Sequence, residues 1–181
     1  MGAAPRAAAV GLALAFGCAG GAASQPVPGW PLEPTGPALV DAMLRLAEVS
    51  AADVVHDPRC GDGRVVVAAA RKFGARAVCV EPDAAQIERA AWHVRLAGVG
   101  DRVRLVLGDP LATEVGEATV LVLYRAADAA PAPRSLPPAW RRPGVRIVWL
   151  DDDLADAGPP ERSERVGDRT LHLRRLAPPV R

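Results

Sequence analysis

The sequence predicts an α/β fold organised around an open, largely parallel sheet, and three observations carry that expectation. Short apolar runs at Val54–His56, Arg76–Val80 and Thr119–Tyr124 suit strands buried on both faces. Segments with helical spacing of apolar residues alternate with them. Acids close several of the runs, at Asp57, Glu81 and Asp109, and strand carboxyl ends are where open α/β sheets bind ligands.

The chain has 181 residues, half of them apolar, and a formal net charge of +1. That suits one globular domain and gives no electrostatic reason to expect a nucleic-acid partner. Lys72 is the only lysine, and the abundance of Arg, Ala, Gly and Pro reads as a coding bias. Residues 1–24 carry a positive charge at Arg6, an apolar core too short to span a membrane, and small residues before Gln25, the pattern of a signal peptide cleaved after Ala23 or Ser24. Export, to the periplasm of a bacterium, is the expectation. Lipid attachment at Cys18 and a cytoplasmic protein with a misassigned start are the alternatives. Cys60 and Cys79 read as small buried apolar side chains, not as a metal site or a disulfide.

Residues 25–36 are too rich in proline for helix and form an extended lead-in to a domain over 37–178. Pro37 opens a helix that Thr35 can cap, with Leu39, Met43, Leu46 and Ala47 on one face. The stretch from Val54 to Glu81 organises the rest. Pro58 keeps Asp57 extended, so the first strand ends at that acid. Gly61 and Gly63 then let the backbone turn tightly and approach a ligand, while Asp62 can cap the helix that follows from about Gly63 to Phe73. Arg71 and Lys72 in its last turn and Gly74 beyond it mark the end. Arg76–Val80 returns as a strand with Glu81 at its tip, where an acid can take two ribose hydroxyls.

A helix from Pro82-Asp83 to about Leu96 buries Ile87, Ala90, Ala91 and Val94, and leaves Gln86, Arg89 and His93 in water. Arg102–Leu107 alternates as a half-buried strand and delivers Asp109, either a ligand acceptor or a turn former before Pro110. Ala118–Tyr124 is a central strand with Tyr124 facing the site. A Pro/Ala/Arg-rich connection with a short helix near Leu136–Arg141 leads to the strand Val145–Leu150, which ends in Asp151-Asp152-Asp153, read as solvated loop and not metal cluster. Glu161–Val166 and Thr170–Leu176, joined at Gly167-Asp168, form a closing hairpin.

A dinucleotide fingerprint requires a third glycine where Val66 stands, which leaves a nucleoside-type ligand as the better fit and a dehydrogenase as the weaker one. The acid, the spaced glycines and the second acid resemble motif I of class I S-adenosylmethionine-dependent methyltransferases. Pro34-Thr35, Cys60-Gly61-Asp62-Gly63-Arg64, Ala118-Thr119-Val120, Leu123-Tyr124, Pro143-Gly144, and Arg146-Ile147-Val148 leading to Asp151 and Asp153 narrow this further. They are similar to small bacterial relatives of the mitochondrial lysine N-methyltransferase of the ATP synthase c subunit. That resemblance implies a Rossmann-like, doubly wound, seven-stranded mixed sheet with helices on both faces, its last two strands a hairpin. It implies S-adenosylmethionine as cofactor. Asp57 would take its ammonium group, the turn Cys60-Gly61-Asp62-Gly63 its methionine part, Glu81 the ribose and Asp109 the adenine. The methyl acceptor would be a protein, through a lysine amine, or a small molecule, and from their location alone at strand ends Asp151 or Tyr124 could help to position it. The chain departs from that family at Pro58-Arg59, where Leu-Gly is usual, and after Tyr124, where Arg125 to Ala130 replace a polar, proline-bearing segment. Two readings follow: a methyltransferase, or an exported binding or scaffold domain that keeps the fold without turnover.

Overall fold

The computed structural model describes residues 36–123, 136–151, 154 and 157–177. Tyr124, Thr35 and Asp153 lie outside them, as do residues 1–34. In chain order the elements are α1 (Pro37–Leu46), β1 (Val54–Asp57), α2 (Arg64–Phe73), β2 (Arg76–Glu81), α3 (Ala84–Ala97), β3 (Val103–Leu107), β4 (Val120–Leu123), a 3-10 helix (Pro138–Trp140), β5 (Arg146–Leu150), β6 (Arg162–Val166) and β7 (Arg169–Arg175). The seven strands form one sheet in the order β3-β2-β1-β4-β5-β7-β6. β1 to β5 run parallel, and β7 pairs antiparallel with both β5 and β6. Strand order reverses between β1 and β4, so the carboxyl ends of β1, β2 and β4 border the crevice where such sheets take ligands.

Residues of one parity along the strands, among them Val55, Cys79, Val103, Val120, Val148 and Leu171, pack with α1, α2 and α3 in one core. The other parity, Leu121, Ile147 and Trp149, packs with Leu136, Trp140, Leu154 and Ala157. Among the described residues the three α-helices therefore share one face. The second face is covered by the 3-10 helix and loops, a thinner version of the two-sided cover implied by the resemblance. No described helix is long and apolar enough to cross a membrane.

Each helix is stopped by a glycine or a tight turn. Gly74 and Gly98 take left-handed φ of 71° and 66° just past α2 and α3, a conformation in which any Cβ is disfavoured. α1 begins at Pro37 after Gly36, with no side-chain cap.

The end of the sheet opposite the crevice is tied by Asp53. Its carboxylate accepts from the Ser50 amide (2.8 Å) and hydroxyl (2.9 Å) and from the Thr119 hydroxyl (2.7 Å), and pairs with Arg146. Arg146 also donates to the carbonyls of Ala47 (2.8 Å) and Glu48 (3.0 Å) after α1. One buried ion pair thus joins α1, β1, β4 and β5. Burial alone would raise the Asp53 pKa, but these donors outweigh it and hold it low.

Candidate cofactor site

β1 runs into the sheet's interior and ends at Asp57, which is only 2% exposed. Its carboxylate accepts one weak bond from the Arg59 amide (3.3 Å). Burial, with the carboxylates of Glu81 and Asp62 adding repulsion against that one amide, raises its pKa from 3.8 to about 7. A buried acid among acids is a site short of a cation. The Arg59 side chain, the long cation where the family usually has glycine, is exposed and forms no ion pair with Asp57 among the described residues.

The turn that follows is pinned to β2 at several points. The Cys60 amide donates to the Val80 carbonyl (3.2 Å), and the Gly61 amide donates to Glu81 Oε2 (2.9 Å). Glu81 Oε1 accepts the Asp83 amide (3.1 Å), so the carboxylate at the tip of β2 faces the glycine corner. Gly61 and Gly63 have φ of +54° and +78°. At Gly63 a Cβ would stand 2.9 Å from the Ala90 Cβ of α3, so a side chain is excluded by contact as well as by backbone conformation.

Two sequence expectations are corrected here. Cys60 and Cys79 are joined in a disulfide, with Cα atoms 5.3 Å apart. Cys79 lies on the helix-bearing face of β2, and the turn folds back over that strand and brings Cys60 onto it, a contact 19 residues distant that strand periodicity does not reveal. His93 is not simply solvated. It is half-buried, and its Nδ1 stands 2.8 Å from the main-chain oxygen of Asp62. Asp62 acts less as a cap than expected. Its carboxylate is gripped by Arg64 through Nε (2.9 Å) and Nη2 (2.7 Å), with a long contact from the Arg64 amide (3.3 Å).

Asp57, Cys60, Gly61, Asp62, Gly63 and Glu81 are therefore gathered at one corner. Asp109 stands past the adjacent strand tip, tied to it through the bond from the Gly108 amide to the Glu81 carbonyl (3.1 Å). It is exposed, and its carboxylate accepts the Leu111 amide (2.9 Å), the turn-forming arrangement. Asp151 lies at the tip of β5, beyond β4 from the corner, in left-handed backbone (φ 55°). It accepts the Thr170 amide (2.6 Å) and pairs with Arg169. Burial pushes its pKa up, but the Thr170 amide and the Arg169 guanidinium prevail and keep it below the ordinary carboxylate range. Sequence reasoning missed Arg64, His93 and Cys79. Only the position of Arg64, two residues from Asp62, carried a signal that could have been used. Among the described residues no cluster of His, Cys, Asp and Glu is placed to hold a metal.

No protein-family model matches the chain. It is 32% identical over 136 residues to a protein-lysine N-methyltransferase of Saccharolobus islandicus, covering 75% of this chain and 84% of that one. Its fold matches that of an RNA methyltransferase from Salinibacter ruber, solved with S-adenosyl-L-homocysteine, with a TM-score of 0.70 at 31% identity over 82% of this chain and 97% of the other. A putative methyltransferase from Escherichia coli, yhhF, shares the fold at a TM-score of 0.62 and 16% identity, with 84% and 90% of the two chains covered. The reading of a scaffold that has lost turnover finds no support in these likenesses. Similarity over most of both chains, together with an acid-lined glycine corner at the strand tips of a seven-stranded sheet, shows the family: the chain belongs to the class I S-adenosylmethionine-dependent methyltransferases, with S-adenosylmethionine as its cofactor.

Proposed function

We propose that the protein methylates the ε-amine of lysine in a protein acceptor. The single observation that carries the acceptor is the similarity to a protein-lysine N-methyltransferase across three quarters of the chain. The corner fits the cofactor. Asp57 lacks the cation that would hold its charge, and an ammonium group supplies one. Glu81 turns its carboxylate toward Gly61, where a ribose would exchange for the amide. The bare Cα of Gly61 lets the backbone come close to the methionine part, and Asp109 stands one strand further for the adenine.

The cofactor supplies a methyl group already activated on a sulfonium. The work left to the chain is alignment and exclusion of water. An acceptor ammonium must first give up a proton. The free amine lone pair then forms the carbon–nitrogen bond as the carbon–sulfur bond breaks. Asp151, held anionic by Thr170 and Arg169, suits a role as hydrogen-bond acceptor that orients the incoming amine, a role the sequence also offers to Tyr124, the residue after β4. The export reading is kept as part of this proposal. What supports it is the Cys60–Cys79 bond, since disulfides persist in oxidising compartments.

Incubating the protein with S-adenosylmethionine carrying a labelled methyl group, and with lysine-rich protein or RNA as acceptor, tests the reading. Label recovered as methyllysine is expected. Label entering RNA, the acceptor class of the Salinibacter relative, or a small molecule alone would replace the proposal. The N-terminal sequence of the protein from its own cell decides processing: a start at Met1 would remove the signal peptide.

A further inference from the structure

We infer that His93 is a positioning residue for the cofactor turn, acting from α3 on the backbone of Asp62 and Gly63. This rests on the methyltransferase reading above and adds a residue that the motif does not contain. The peptide between Asp62 and Gly63 is held at both ends. Its N–H, on Gly63, donates to the Cys60 carbonyl (2.9 Å), and its oxygen, on Asp62, lies 2.8 Å from His93 Nδ1. A carbonyl oxygen only accepts, so Nδ1 must carry the hydrogen, which fixes the tautomer of the neutral ring. Protonating the ring leaves the same donor in place.

α3 backs the turn twice from one face. Ala90 lies directly behind Gly63, near enough that the glycine admits no Cβ, and His93 is three residues further along the helix, on the same side. α3 also begins two residues after Glu81, with Asp83 as its cap (Ala85 amide to Asp83 Oδ1, 2.8 Å). A single rigid helix therefore registers the ribose acid at its start against the glycine corner along its side. Binding has to spend the Gly61–Glu81 hydrogen bond, because both groups turn to the ligand. Once that tie is given up, the hold of His93 on the next carbonyl keeps the turn in shape. Arg64 grips the carboxylate of the same residue, at the end of the side chain away from that peptide.

The test compares His93→Phe, which keeps a flat ring and removes the donor, with His93→Asn, whose amide nitrogen occupies nearly the place of Nδ1. The full-length protein is titrated calorimetrically with S-adenosyl-L-homocysteine, and KM and kcat are measured for transfer. For His93→Phe we expect binding weaker by about fivefold to tenfold, the effect of one lost hydrogen bond. KM for S-adenosylmethionine should rise to match, with kcat at saturation and KM for the acceptor within twofold. His93→Asn should bind within twofold of the wild type. A residue that only stabilised the fold would lower the melting temperature and leave the dissociation constant at 25 °C unmoved. Should His93→Phe not fold, His93→Gln, which carries its amide one bond too far, takes its place in the comparison. Wild-type affinity in the Phe or Gln variant, or an Asn variant as weak as either, overturns the assignment. Absence of binding by the wild type itself would instead strike the methyltransferase reading.

Discussion

On the proposed reading Asp57 takes the ammonium group of the cofactor, which makes binding a proton-coupled event, and the coupling has a magnitude. Without ligand its pKa is about 7, raised by burial and by Glu81 and Asp62, against 3.8 for the free side chain. Beside an ammonium group the charged form is favoured, so binding removes the proton that Asp57 otherwise holds below pH 7. The dissociation constant for S-adenosyl-L-homocysteine should be flat above about pH 8 and weaken toward tenfold per unit below about pH 6.5. At pH 6, close to a full proton should be released per ligand bound, read as a dependence of calorimetric enthalpy on the ionisation enthalpy of the buffer. Stability runs the other way. A pKa raised in the folded state contributes stability that is complete below 3.8 and lost as pH rises through about 7. The loss at pH 8 amounts to about 4 kcal/mol, at 1.36 kcal/mol per pKa unit. Asp57→Asn should therefore melt higher than the wild type at pH 8, by less at pH 5. The same variant should bind ligand about tenfold to a hundredfold more weakly at pH 8, the effect of a charged hydrogen bond worth about 1.5 to 3 kcal/mol. An affinity constant from pH 5.5 to 8.5, or Asp57→Asn binding like the wild type at pH 8, refutes the reasoning.

Three further perturbations separate the parts of the structure. Glu81→Ala takes away the proposed ribose acceptor and leaves the Gly61 and Asp83 amides without their partner, so affinity measured by calorimetry should fall by more than tenfold, and a loss under threefold counts against the corner. Cys79→Ser, or a dithiol reductant, opens a bond that closes 19 residues of sequence separation, worth about 3 kcal/mol by loop entropy. Chemical denaturation should show a loss of that order, and equal midpoints with and without reductant would mean the cysteines are not bonded in solution. Arg146→Ala strands the Asp53 carboxylate in the interior and should cost about 3 to 5 kcal/mol, while the dissociation constant for ligand at 25 °C stays within twofold. A ligand effect as large as the stability effect would show that the two ends of the sheet are coupled.

Element order and strand tips were legible because they rest on local chemistry. Pro58 ends β1 at Asp57, Gly74 ends α2 and Gly167 turns the closing hairpin, and each acts through its own backbone. Parallel order followed from the alternation of strand and helix. The boundaries moved by up to three residues, as at α1, whose apolar spacing carries a helix to about Val49 but which ends at Leu46 because the chain turns back through Glu48 in positive φ. What stayed hidden was whatever depends on two distant segments meeting. His93 looked like any polar residue on a wet helical face, since nothing in α3 tells that the Asp62 carbonyl lies over it. Cys79 read as one more small residue in a buried strand, because its partner arrives with the folded turn.

The family strings divide by place, and this decides what they signify. Cys60-Gly61-Asp62-Gly63-Arg64 lies at the crevice end of the sheet, where the carboxylates of Glu81 and Asp62 add to burial in raising the pKa of Asp57. Thr119 and Arg146, from two of the other strings, lie at the opposite end and meet on Asp53. Thr119 and Arg146 therefore act on the fold, by tying four elements together at that end. At that end each charge has its partner and burial is offset by hydrogen bonds. At the crevice end Asp57 has one weak donor and keeps its proton until a cation arrives. A sheet tied at one end can carry such a deficit at the other, because the strands that present the acids are fixed before the ligand comes. On the proposed reading that deficit sets selectivity: a ligand that brings an ammonium group relieves it, so S-adenosyl-L-homocysteine should bind more tightly than a neutral nucleoside of the same shape.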